Sequence, residues 1–104
     1  MDSYLQALNQ LFERGLIDAK PSLLSLKSGE IIFHADEPAQ RIFGVHTGKV
    51  QLACYLESGQ MSNQYAVETG AWFGEDALFN ETYQNSAIAT QPSLIIALPK
   101  QTFL

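Results

Sequence analysis

Hydrophobic positions follow two different periods along the chain, and the first is helical. Near the N-terminus apolar residues recur every three to four positions, the spacing of one helix face. The residues of this face are Tyr4, Leu5, Leu8, Leu11 and Phe12. Asp2 and Ser3 can cap the first turn, and Gly15 can end the helix. The pattern therefore predicts one amphipathic helix over about residues 3–14.

From Pro21 onward the pattern is that of short strands. In residues 50–56 apolar side chains alternate with other residues, as Val50, Leu52, Cys54 and Leu56 show; this is the period of a half-buried strand. About eight such stretches follow one another, separated by glycine, proline and aspartate turns. Short strands with frequent turn signals are typical of a closed all-β architecture. We predict a mainly β fold, an antiparallel β-roll or jelly roll (double-stranded β-helix), over about residues 21–98.

Two short helical segments complete the predicted fold. One follows Gly74, and the other is the start of a C-terminal helix in "KQTFL", after Pro99. The 104 residues form one domain, 1–104, by size and by the absence of any linker-like stretch.

Composition narrows the class of protein. Hydrophobic residues make up 46% of the chain, which is too many for a disordered protein. The net charge of −5 repels nucleic-acid backbones, so we expect no nucleic-acid contact by this chain itself. Cys54 is the single cysteine, and the N-terminus lacks a signal-peptide pattern. No apolar run approaches a membrane span, so we expect a cytoplasmic domain with no membrane contact.

The stretch "WFGEDALFNETYQNSA" (residues 72–87) carries the candidate chemistry. A glycine precedes one or two helical turns, whose free N–H groups suit an anion. The stretch nevertheless holds the three carboxylates Glu75, Asp76 and Glu81 and no cation. Between Lys49 and Lys100 the chain has no Lys, Arg or His at all.

The order of these motifs resembles the cyclic-nucleotide-binding domain of catabolite-activator/Fnr-type transcription regulators. "LKSGEIIFHADEPAQRIFGVHTGKVQL" is similar to the first half of that domain, although Ala35 stands where the family has a glycine. "TGAWFGEDALF" resembles its phosphate-binding cassette, and "NSAIAT" stands where the family has Arg-Ser-Ala. The resemblance covers about residues 15–104 and implies a β-roll with flanking helices.

The resemblance also implies a ligand pocket. In members that bind cyclic nucleotides, the cassette glutamate bonds the ribose hydroxyl, and backbone N–H groups with one arginine hold the cyclic phosphate. Glu75 matches the glutamate, and Asn85 matches the arginine. The matching positions together are Phe73, Gly74, Glu75, Asp76, Ala77, Leu78, Asn85, Ser86 and Ala87.

Charge at two of these positions argues against a tightly bound cyclic nucleotide. Asn85 offers one neutral amide where an arginine would offer two charge-assisted hydrogen bonds. That loss costs about 2–5 kcal/mol, or roughly 30- to 4,000-fold in affinity. Asp76 replaces an apolar residue and would repel a phosphate about 6 Å away by roughly 2–3 kcal/mol. We therefore expect no cofactor, and as effector an unknown neutral or cationic small molecule or none.

These expectations lead to a function with two alternatives. The chain ends where the family's dimerisation helix begins, so we expect the N-terminal sensor domain of a longer regulator whose other part binds DNA. A homodimer of this chain would have to use the roll itself. One alternative is a stand-alone, ligand-free interaction module. The other is a cupin-like metal enzyme, but His34 and His46 lack the His-x-His spacing of a cupin site. We expect neither a metal site nor catalysis.

Overall fold

The computed structural model describes residues 21–103 together with Gln6, Gln10 and residues 13–15. Most of the helix predicted over residues 3–14 lies outside the described residues, so that helix stays a prediction. No helix in the described ranges is long and apolar enough to cross a membrane.

The described part of the chain folds into eight strands in two antiparallel sheets. The strands are β1 Ser22–Leu26, β2 Ile31–Phe33, β3 Arg41–Thr47, β4 Lys49–Tyr55, β5 Met61–Glu68, β6 Trp72–Phe73, β7 Ser86–Ala89 and β8 Ser93–Pro99. One sheet has the order β1-β8-β3-β6 and the other has the order β2-β7-β4-β5. Apart from the β4–β5 hairpin, neighbouring strands in each sheet are not consecutive in sequence, as in a jelly roll. The predicted mainly β, antiparallel fold is confirmed.

Two single-turn 3-10 helices accompany the strands. Glu75–Leu78 forms the first, which we name the cassette helix, and Lys100–Phe103 forms the second. Both lie where the sequence predicts helical segments, although neither is an α-helix. β5, at eight residues, is the longest of the described strands.

Aromatic side chains form the centre of the core between the sheets. Phe33 stacks on Tyr83 with ring centroids 3.8 Å apart, and Phe43 stacks on Phe73 at 5.3 Å. All four rings are buried. They come from β2, β3, β6 and the segment before β7, so their contacts tie both sheets to the chain around the cassette helix.

The turn after β2 takes its strained conformation at the residue that tolerates it best. Asp36 has a φ of 73°, whereas Ala35, at the family's glycine position, does not have a positive φ. Aspartate enters the left-handed region more readily than most residues. The N–H of Asp36 donates to the carbonyl of Tyr83 (2.8 Å), and the N–H of Tyr83 donates to the carbonyl of Glu37 (3.0 Å). These bonds tie the segment before β7 to the turn after β2.

Candidate functional site

The cassette helix lies directly against the aromatic core because Gly74 precedes it. Gly74 has a φ of 78°, and a Cβ added there would lie 3.1 Å from the Phe43 ring and 3.5 Å from the Phe33 ring. Only glycine combines this backbone conformation with so close an approach. Ala77 then packs into the core and holds the turn in place.

A cleft of about 100 Å³ opens between the cassette helix and the second sheet. Its walls come from β2, β4, β5, the cassette helix and the segment before β7. The lining residues are Phe33, Leu52, Tyr65, Gly74, Glu75, Asp76, Gln84 and Asn85. Segments far apart in sequence therefore converge at one concave site, as ligand-binding sites generally require.

Four of the residues singled out from the sequence line this cleft, namely Gly74, Glu75, Asp76 and Asn85. The other five lie behind its surface. Phe73, Ala77, Ser86 and Ala87 are buried, and Leu78 packs partly buried against the core. Their role in a ligand pocket stays a prediction, and the structure gives them a supporting position.

Sequence reasoning missed four lining residues. Phe33, Leu52 and Tyr65 lie on strands distant from the cassette, and Gln84 directly precedes Asn85. The alternation of β4 indicates that Leu52 faces inward. It does not indicate that Leu52 lies across a cleft from the cassette helix.

Asp76 has a structural partner that the sequence did not suggest. Its Oδ2 accepts a hydrogen bond from the backbone N–H of Gln84 (2.8 Å). Its carbonyl oxygen accepts from the backbone N–H groups of Phe79 and Asn80, at 3.0 and 2.9 Å. The carboxylate therefore ties the cassette helix to the segment before β7. It accepts no hydrogen bond from the described N–H groups of its own helix.

The cleft is negatively charged. No cation is among its lining residues in the part of the chain that the structure describes. Burial, and after it the charges of Glu75 and Asp76, raise the pKa of the Tyr65 phenol above its ordinary value of 10.0. The negative charges of the two carboxylates therefore reach Tyr65, which lies on β5 at the opposite wall of the cleft.

Polar groups in the cleft keep free hydrogen-bonding capacity. Glu75 is exposed, and its carboxylate makes no hydrogen bond or ion pair with any described residue. The side-chain amide of Asn85, which is half-buried, likewise makes no hydrogen bond within the described ranges. Such groups are available to a ligand without breaking an internal contact.

Other candidate chemistry lies outside the cleft. Cys54 is half-buried on β4, where its Sγ accepts from the Nε2 of Gln64 at 3.1 Å. Among the described residues, no three His, Cys, Asp or Glu side chains converge as a metal site would require.

The chain thus combines a β-roll with a glycine-led turn beside a concave cleft. Residues 23–104 match the family described as the cyclic nucleotide-binding domain. The chain belongs to this family, as its motifs led us to expect.

Solved structures with the same fold include regulators of the catabolite-activator/Fnr type. A putative cyclic nucleotide binding protein from Ruegeria pomeroyi DSS-3 is 28% identical and has a TM-score of 0.82, over 99% of this chain and 50% of that one. The Thermus thermophilus catabolite activator protein is 26% identical, with a TM-score of 0.75, over 80% of this chain and 39% of that one. The N-terminal domain of a transcriptional regulator from Streptomyces coelicolor A3(2) is 25% identical, with a TM-score of 0.74, over 80% and 58%.

A curated relative is a much longer protein of another kind. Rap guanine nucleotide exchange factor 1 of Caenorhabditis elegans is 29% identical over 80 residues, which are 77% of this chain and 8% of that protein. The chain thus spans only part of each of these relatives. The solved structures share the fold of this chain.

Proposed function

We propose that this chain is the effector-binding domain of a catabolite-activator/Fnr-type transcription regulator, and that its cassette does not hold cyclic AMP or cyclic GMP tightly. The observation that carries the second part is the cleft lining, in which Glu75 and Asp76 face the ligand space and no described cation joins them. The first part rests on the likeness to solved regulator domains. We further propose that the parent protein carries a DNA-binding element, forms a dimer and is cytoplasmic.

The charge argument can be put in numbers. A phosphate held about 6 Å from one carboxylate is repelled by roughly 2–3 kcal/mol at an effective dielectric constant of about 20. An amide at position 85 in place of an arginine forgoes about 2–5 kcal/mol of charge-assisted hydrogen bonding. Either effect alone would weaken binding at least tenfold. We expect the affinity for either nucleotide to be no tighter than about millimolar.

Calorimetric titration with cyclic AMP and cyclic GMP at low salt tests this proposal. The repaired variant carries Asn85→Arg and Asp76→Asn. Asparagine is chosen at position 76 because its amide oxygen can still accept the hydrogen bond from Gln84. A control variant with Glu57→Gln and Gln60→Arg makes the same change in net charge in the exposed β4–β5 loop, away from the cleft.

The proposal expects no measurable binding by the wild type or the control, and binding at least about 30-fold tighter by the repaired variant. Micromolar binding by the wild type would refute it, because a cation from outside the cleft would then hold the phosphate. Equal gains in the repaired and control variants would show that net charge matters and that the cassette does not.

A second candidate is a regulatory module of a protein that does not bind DNA. The likeness to an exchange factor favours this candidate. Sequencing the parent gene downstream of Leu104 separates the two. A helix-turn-helix in the same reading frame supports the regulator, and a different domain supports the module.

A further inference from the structure

The cleft combines an apolar wall with a small volume. Phe33, Leu52 and Tyr65 supply the apolar wall. Phe33 and Leu52 are buried at its base, and Tyr65 is about half exposed at 48%. An apolar cavity of about 150 Å³ accepts a benzene ring, so a space of about 100 Å³ can hold a short alkyl chain.

Hydrogen-bond acceptors gather at one side of this wall. Glu75 contributes two carboxylate oxygens without a described partner, and Asn85 contributes an amide oxygen. Only Oδ2 of Asp76 has a partner among the described residues, which leaves Oδ1 available. A protonated primary amine carries three N–H donors and no acceptor, so its needs match this set.

A divalent metal ion suits the cleft less well. Calcium takes six to eight oxygen ligands, and magnesium demands near-ideal octahedral geometry. One of the two adjacent carboxylates is already bound to the backbone, and no third metal-ligating side chain converges with them in the described ranges. An organic cation needs no such shell, and its alkyl part gains from the apolar wall.

We propose that the cleft binds a small primary ammonium ligand, with its charged group against Glu75, Asp76 and Asn85 and its alkyl part against Leu52 and Tyr65. This inference rests on the proposed function, because it names the class of effector that the same domain would sense. Tyr65 lines the cleft together with the two carboxylates, whose charges act on its phenol. The pKa of the Tyr65 phenol is raised from an ordinary value of 10.0, so the phenol is neutral at pH 7, as any tyrosine with the ordinary value would be, and adds no negative charge.

The test uses three ligands of the same length, n-butylammonium, n-butanol and butyrate, followed by amide chemical shifts of the ¹⁵N-labelled chain at constant ionic strength. We expect saturable shifts with n-butylammonium, centred on Gly74–Asp76 and on Gln84 and Asn85. Butanol should bind at least about tenfold more weakly, and butyrate should not bind. Glu75→Gln should weaken butylammonium binding about tenfold and leave butanol unaffected, whereas the control Glu57→Gln should change neither.

Glu75 makes no internal hydrogen bond with a described residue, so Glu75→Gln should fold normally and its spectrum should confirm this directly. Shifts centred elsewhere, equal binding of butanol and butylammonium, or equal effects of Glu75→Gln and Glu57→Gln would overturn the inference. Cyclic AMP titrated into the same samples keeps the two proposals apart. Silence toward both cyclic AMP and butylammonium removes the ammonium ligand and retains the proposed function, whereas tight cyclic AMP binding removes the proposed function.

Discussion

Gly48 joins β3 to β4 and offers a sharp test of the packing. Its φ is +114°, in a region that side chains rarely adopt. A Cβ added there would meet the Ser93 Oγ and would lie 2.7 Å from the Ser93 Cα, which is backbone. Ser93 begins β8, an interior strand of its sheet, with β1 on one side and β3 on the other. The backbone at Ser93 therefore has little room to move away.

The expected loss for Gly48→Ala has three parts. The left-handed backbone costs about 1–2 kcal/mol, and forcing an extra methyl group into a packed site costs about 1–3 kcal/mol. Displacing Ser93 also threatens the bond that its buried Oγ accepts from the Lys49 N–H at 3.1 Å, which contributes about 1 kcal/mol. Together they reduce the free energy of unfolding by about 3–6 kcal/mol, a large share of the roughly 5–15 kcal/mol typical of a domain.

Urea unfolding of Gly48→Ala beside Gly59→Ala separates the backbone strain from the two parts that depend on contact with Ser93. Gly59 has a similar positive φ of +87°, but a Cβ there would meet nothing within 4 Å. Gly59→Ala should therefore cost only the backbone strain, about 1–2 kcal/mol. If the two variants lose the same free energy of unfolding within about 0.5 kcal/mol, Gly48 and Ser93 are not in close contact and the reasoning fails.

Three further predictions concern the surroundings of the cleft. Tyr83→Phe should lower the free energy of unfolding in urea by about 1–2 kcal/mol, because the Tyr83 hydroxyl donates to the Arg41 carbonyl (2.7 Å) and accepts from its N–H (3.2 Å). Asp76→Ala should lower the free energy of unfolding by about 1–3 kcal/mol. Asp76→Asn should lower it less, because the amide oxygen can still accept the hydrogen bond from the backbone N–H of Gln84. The Tyr65 phenol, followed by NMR of ring-labelled tyrosine, should titrate above pH 10, and Glu75→Gln should lower its pKa. Because the unfolded tyrosine ionises first, the contribution of Tyr65 to stability is complete below about pH 10 and is lost as the pH rises through its folded pKa.

Each of these predictions has a contrary result. An unchanged unfolding midpoint in Tyr83→Phe would mean that the hydroxyl bonds contribute nothing net. Equal losses in Asp76→Ala and Asp76→Asn would show that the charge, and not the acceptor oxygen, holds the loop. A Tyr65 pKa that Glu75→Gln leaves unchanged would mean that the Glu75 charge does not act on the phenol, and that burial and Asp76 raise the pKa without it.

Some of the candidate site was predictable because its signal is local. A glycine followed by Glu75, Asp76 and an apolar pair can be recognised within a few residues, and the absence of cations over a long stretch is a property of composition. These features predicted which residues form one side of the cleft and that this side is negatively charged. The conformation of the turn after β2 was harder to predict. Ala35 and Asp36 are neighbours, so the sequence does not show which of them has the positive φ, and the hydrogen bonds that hold the turn involve Tyr83, far along the chain.

The opposite wall of the cleft depends on strand register. Leu52 pairs with Tyr65, and the register shifts between Leu52 and Ala53, which leaves Gln64 as an extra residue on β5. Without that bulge, the hairpin register of Cys54 with Ser62 would set Tyr65 opposite Gln51, and a one-residue slip turns a side chain to the other face. A hydrophobic pattern does not show where a bulge lies, because polar residues such as Ser62 and Gln64 give no clear facing signal.

The sequence by itself determined the strands, their approximate ends, the glycine-led cassette and its negative charge, because period, turn chemistry and composition are properties of neighbouring residues. Tertiary structure decided which strands pair, how far the register shifts, and that Phe33, Leu52 and Tyr65 face Glu75 and Asn85 across one cleft. It also decided that Asp76 bonds the Gln84 N–H. These contacts join residues far apart in the chain or positions set by the folded loop, and the energy that selects them arises only when the two sheets close on a common core.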